Sequence, residues 1–173
     1  EKELMRLTLQ SVGDAVICTD AQGLVTYLNP MAQRMTGWQA FDAAGHDVDE
    51  VAPLYLANGQ QTQPSPLRVA LATQVACGPT RGVVLHRNDG QRFEVEESAS
   101  PIMDRQHQLT GAVMVLHDVT ETMAMAERMA HLAQYDALTD LPNRVLLQDR
   151  ARQALALARR DGKSLAVMYI DLD

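Results

Sequence analysis

The chain has 173 residues, a formal net charge of −7 and a hydrophobic share of 46%, with aromatics at only 4%. That length allows one large domain, or one ordinary domain with part of another, and the acidic balance argues against a nucleic-acid groove, which needs clustered Lys and Arg. Cys18 and Cys77 have neither CxxC nor metal-ligand spacing, which fits a reduced cytoplasmic setting, and no run approaches the ~20 apolar residues of a membrane span, so a membrane role needs an anchor upstream of residue 1.

With few aromatics, Ala, Val, Leu and nine Met must fill the core, and Met adapts to irregular gaps. "EKELMRLTLQSV" spaces Leu4, Leu7 and Val12 for a leading helix, taken as residues 1–11. "AVICTDAQGLVTYLNP" reads as two strands, 15–19 and 24–28, joined by a turn in which Gly23 supplies a positive φ. Asn29 caps the next helix, Pro30 suits its first turn, and Gly37 ends it after "MAQRMT". Residues 39–63 scatter Gly, Pro and acids and read as short helices and loops. "SPLRVALATQVA" is a further helix, with Ser65 as its cap and Pro66 in its first turn. Three strands follow, at 82–87, 91–100 and 109–117, and Asn88-Asp89-Gly90 makes the strongest hairpin signal in the chain. Strands on both sides of a helical middle predict an antiparallel α+β domain.

From Val119 to Tyr135 nothing breaks a helix. Met125, Met129 and Leu132 form one seam, and Met123, Ala126, Ala130 and Ala133 a second beside it. The helix therefore either packs on its own domain or forms a two-stranded coiled coil with two available registers. Pro142-Asn143 resets the chain. "RVLLQDRARQALALARR" is a helix with Val145, Leu146 and the 153–157 stretch spaced for a buried face, and "SLAVMYIDLD" reads as a strand, 164–171, that ends in carboxylates.

These pieces resemble two families laid end to end. Residues 4–121 are similar to a PAS sensor domain through "DAVICTDAQGLVTYLNPMAQRMTGW", "HRNDGQRFEVEESASPI" and the closing "GAVMVLHDVTE". Residues 130–173 resemble the opening of a GGDEF domain, the diguanylate cyclase fold, through "DALTDLPNR" followed by one helix and a strand ending in D-x-D. The resemblance implies a PAS fold, an antiparallel five-stranded sheet with helices on one face, over residues 12–121. A helical signalling linker follows at 122–135, and the start of a truncated α/β GGDEF domain at 136–173. It implies a sensor controlling synthesis of cyclic di-GMP from two GTP, with Mg²⁺ held by carboxylates against the triphosphate. Asp171 and the Leu172 carbonyl are the implied metal ligands. Without the motif upstream, "IDLD" would be an ordinary acidic strand end.

No catalytic site is complete in the chain. Asp118 and Thr120 of the closing motif, and Asp136, Thr139, Asn143 and Arg144 of the opening one, are read as signalling and structural, with Asp136 or Thr139 capping a helix or Asp136 pairing with an Arg. Cys18, Asn29, Met35, Trp38 and Met114 are the candidate residues of a small-molecule pocket in the PAS half. The positions of His46, His86, His107, His117 and His131 weigh against a haem axial ligand. The photoadduct motif G-x-N-C-R-F-L-Q is missing, and Trp38 alone does not make a flavin site, so the ligand is unspecified and the protein is expected to be colourless. A homodimer through the leading and linker helices is expected. Two alternatives remain: a GGDEF-EAL phosphodiesterase whose GGDEF domain is inactive, and a non-enzymatic PAS dimerisation module.

Overall fold

A computed structural model describes residues 13–56, 58–61, 64–168 and 170. The predicted leading helix, and the predicted metal ligands Asp171 and Leu172, lie outside the described residues. Among the described residues no helix is long and apolar enough to cross a membrane.

The first hairpin joins β1 (Ala15–Asp20) to β2 (Val25–Leu28). The Asp20 carboxylate closes its turn by accepting from Gln22 N and Leu24 N, both at 2.9 Å. Helix α1 (Pro30–Thr36) starts on Asn29, as expected, and stops at Gly37 with φ 80°, a left-handed conformation that suits glycine. Two short helices, α2 (Ala40–Ala43) and α3 (Val48–Val51), occupy the irregular middle. Strand β3 (Leu54–Leu56), helix α4 (Pro66–Thr73) and the strands β4 (Cys77–His86), β5 (Arg92–Met103) and β6 (Leu109–Asp118) follow. Helices α5 (Thr120–Gln134) and α6 (Arg144–Asp161) close the described chain.

The strands form one antiparallel sheet in the order β2-β1-β6-β5-β4-β3. It has six strands where five were expected. The additional one, β3, is three residues long and pairs Leu54 with Leu85 and Leu56 with Val83; so short a segment behind Pro53 carries no readable alternation. Strand β4 also begins five residues earlier than predicted, because Gly78 and Pro79 hide its start. Strand β5 continues through Pro101, which lies beyond Ala99, the last β5 residue with a β4 partner. There β5 is an edge on that side, and the missing N–H costs no ladder bond.

Helices α1 and α4 cover one face of this sheet. Ala15 and Ile17 of β1, Ala99 of β5 and Met114 and Leu116 of β6 pack there against Ala32, Met35, Leu67 and Ala70. Small residues let the strands approach closely: a Cβ on Gly111 would stand 1.9 Å from the Thr19 carbonyl oxygen. Ser65 stands at the N-cap position of α4, yet its hydroxyl makes no cap bond, which corrects its expected role. Arg68 instead ties this helix down, through Asp47, through Asp49 at 3.4 Å and through the Gln22 carbonyl at 2.6 Å.

The chain divides into two compact units, residues 1–123 and 124–173. In the second, α6 buries only Leu146, while Val145, Leu155 and Leu157 are exposed, contrary to the buried face expected for it. Residues 163–168 and 170 are not in a strand. Val167, Met168 and Ile170 stand exposed.

Candidate functional site: a sensor interior and its exit

Of the candidate pocket residues, Met35 and Met114 are fully buried in the one core that the sheet and its helices share, and Trp38 packs against its margin. The Trp38 ring lies 4.9 Å from that of His46, tilted by 50°. Asn29 is buried with them, but its amide is committed to the backbone. Its Oδ1 accepts from Val16 N at 3.0 Å and Ala32 N at 2.8 Å, and its Nδ2 donates to the Asp14 carbonyl at 2.9 Å. Asn29 thus joins the start of α1 to β1 and has a structural role. Cys18 does not join the group. Side chains alternate along a strand, so with Ala15 and Ile17 in the core Cys18 turns to the opposite face, where burial pushes its thiol pKa up.

The interior carries one group that the sequence reading overlooked. Glu97 on β5 is 2% exposed, and no donor among the described residues reaches its Oε2. It alternates in phase with Val95 and Ala99, both core residues, and lies opposite Leu116 of β6 and Thr80 of β4. Burial without a partner disfavours the charged form, and pushes its pKa from 4.5 up to about 7. Nearby, the Cys77 thiol donates to the Pro66 carbonyl at 3.1 Å. Its pKa is raised by burial, with a further push from Glu97.

All the histidines are exposed or half-buried. His86 stacks on Tyr55 at 4.1 Å, and His131 on Tyr135 at 4.3 Å. His117 meets Asp14 at 2.5 Å, and this hydrogen bond raises its pKa. Among the described residues no group of three or more His, Cys, Asp or Glu is placed to hold a metal.

The exit from the sheet is built by Asp118 and Thr120. The Asp118 carboxylate accepts from Thr120 N at 3.0 Å, and the Thr120 hydroxyl accepts from Glu94 N at 2.9 Å. Val119 N donates to the Glu94 carbonyl at 2.8 Å. The first residues of α5 are therefore fastened to β5. Beyond them α5 buries nothing; Met123, Met125, Met129 and Leu132 are all exposed.

The "DALTDLPNR" segment is a closed clasp. Asp136 Oδ1 accepts from Thr139 N at 3.0 Å, Leu138 N at 3.2 Å and the Thr139 hydroxyl at 2.9 Å. The Thr139 N–H, followed by its hydroxyl, pulls the Asp136 carboxyl below the usual range. Asp136 thus closes a turn and, among the described residues, pairs with no Arg, and Thr139 caps no helix. The cap of α6 is Asn143, which accepts from Val145 N and Leu146 N while its Nδ2 donates to the Ala133 carbonyl at 3.0 Å. Arg144 is the first residue of α6 and is exposed. Its side chain meets none of these groups.

Comparison with known proteins follows the same division. The family described as "PAS fold" matches residues 3–119, and the family "Diguanylate cyclase, GGDEF domain" matches residues 133–173. The "Probable diguanylate cyclase DgcE" of Escherichia coli K12 is 32% identical over 173 residues, covering 100% of this chain and 15% of that protein. The "Cyclic di-GMP phosphodiesterase PdeB" of Shewanella oneidensis is 29% identical over 175 residues, covering 100% of this chain and 19% of its own length. The chain thus spans less than a fifth of either relative. The crystal structure of a PAS domain from Colwellia psychrerythraea superposes with a TM-score of 0.55 at 22% identity, over 69% of this chain and 98% of that one.

Proposed function

Because the chain belongs to the PAS family over residues 3–119 and opens a GGDEF domain over residues 133–173, we propose that it senses a signal for an enzyme of cyclic di-GMP turnover. The regulated reaction is synthesis from two GTP. The observation that carries this reading is the exit from the sheet. Thr120 and Val119 fasten the start of α5 to Glu94, so a change inside the PAS core reaches the helix that leads into the GGDEF motif. In this reading Asp118 and Thr120 transmit the change, and Asp136, Thr139, Asn143 and Arg144 hold the junction between linker and enzyme.

A cyclase brings two GTP molecules together, and two copies of the chain supply that geometry. The exposed seam of Met125, Met129 and Leu132 on α5 is the surface a second copy covers, and the adjacent Met123 seam offers a second register. Asp171 and the Leu172 carbonyl offer hard oxygen donors of the kind Mg²⁺ takes beside triphosphate oxygens. Bound there, the cation would offset phosphate charge.

A second reading has support of its own, since the similarity to PdeB covers 100% of this chain, though 19% of PdeB. In it the sensor controls hydrolysis of cyclic di-GMP. Incubating the parent protein separately with Mg²⁺-GTP and with cyclic di-GMP tests both. Cyclic di-GMP appearing from GTP supports the first reading, its hydrolysis alone supports the second, and neither activity contradicts both.

A further inference from the structure

Glu97 is the feature this account of signalling leaves unused. A carboxyl in the middle strand of a core, with an oxygen that no donor reaches, costs free energy whenever it is ionised. A proton is the ligand that satisfies it without needing a chamber. The strand ladder is irregular at the same place. The β4–β5 register shifts on both sides of Thr80, the residue opposite Glu97, so the regular pairing is interrupted there. Three residues along β5, Glu94 holds Val119 and Thr120 at the start of α5.

We propose that Glu97 is a proton-sensing site: its carboxyl exchanges between a neutral form buried under α4 and an ionised form that opens the β4–β5 ladder, and the attachment of α5 to Glu94 loosens with it. This rests on the reading of the chain as a sensor module and names its signal. No bond to carbon is made or broken; the proton passes between the Glu97 carboxyl and water.

The surroundings leave Glu97 as the group that titrates inwards. From β4 the Cys77 thiol approaches it, kept protonated by its own burial. Helix α4 packs on β5, turns Leu67, Ala70 and Leu71 inwards, and has its one charged residue, Arg68, engaged by Asp47 and Asp49. From β6 the facing residue is Leu116. His117, the next residue, turns to the other face with Asp14. On β5 itself Glu96 pairs outward with Arg81 at 2.6 Å, and Glu94 is exposed. A shell without a facing positive charge favours uptake of the proton at Glu97.

The test is an NMR titration of the 173-residue chain, following the Glu97 side-chain carboxyl carbon and the Val119 and Thr120 amides. The carboxyl is expected to titrate with a midpoint of about 7, and both amides should shift with that same midpoint. The amide transitions should vanish in Glu97→Gln and persist in His117→Gln. A carboxyl midpoint near the ordinary ~4.3 of a glutamate overturns the proposal. So do amide transitions that survive in Glu97→Gln and disappear in His117→Gln. Should Glu97→Gln not fold, the carboxyl midpoint and the amide shifts of His117→Gln decide by themselves. A parent protein without cyclic di-GMP turnover would leave these midpoints unchanged, so failure of the two readings is distinguishable.

Discussion

At the scale of single residues, a few polar side chains govern how the sensor unit holds together. Glu97 makes its stability fall with rising pH. The folded pKa lies above the unfolded one, so the contribution is complete below about 4.5 and is lost as pH rises through about 7. A shift of that size is worth roughly 3 kcal/mol. Urea unfolding at several pH values should show that slope in the wild type and a flatter one in Glu97→Gln. His117 acts in the same direction, since its pKa is raised by Asp14, but its exposure makes the effect small. Asn29 acts through hydrogen bonds alone. Asn29→Ala should cost about 2–3 kcal/mol, read from the shift of the urea midpoint, because it strands the buried N–H groups of Val16 and Ala32. The cap role of Asn29 was readable from Asn-Pro before an apolar run. Glu97 was not: "FEVEESAS" holds three acids, and although alternation puts Glu97 on the face of Val95 and Ala99, it is the packing of α4 over β5 that shows this face to be buried.

At the scale of elements, legibility followed the turns. The β1–β2 hairpin and the Asn88-Asp89-Gly90 hairpin were found because Gly23 and Gly90 adopt the positive φ that their turns demand. Strand β3 and the start of β4 were missed because their pairing comes from tertiary contact. The segment 164–171 was read as a strand from its apolar run, but a strand needs a neighbour to satisfy its ladder. Helix α5 was found with its seams, and it is their exposure that matters. Met125→Glu with Met129→Glu should shift the chain towards monomer in sedimentation velocity, by placing charges on the seam assigned to a second copy. A sedimentation profile unchanged by that pair would remove the linker from the dimer. In the clasp, Asn143→Ala should destabilise the unit that contains α6 by about 1 kcal/mol, since it removes the helix cap. Local hydrogen exchange at Val145 and Leu146 would report it.

At the scale of the whole molecule, a sensor unit closed by its own core hands the chain to a second unit through α5. The purified chain should be colourless, without a haem Soret band or flavin absorbance. Its histidines stay at or near the surface, and Trp38 is occupied by His46 and the core margin. A yellow preparation that releases flavin on denaturation would move the signal from protons to redox state. In the proposed function the PAS unit governs cyclic di-GMP turnover through the bond between Thr120 and Glu94. The most direct measurement is turnover by the full-length parent protein, wild type against Thr120→Val, assayed with Mg²⁺-GTP and with cyclic di-GMP. Coupling through such a junction is worth about 0.5–2 kcal/mol, so Thr120→Val should change the rate by roughly 2- to 30-fold while the melting temperature stays within a few degrees. An unchanged rate, or no turnover of either nucleotide by the wild type, would contradict it.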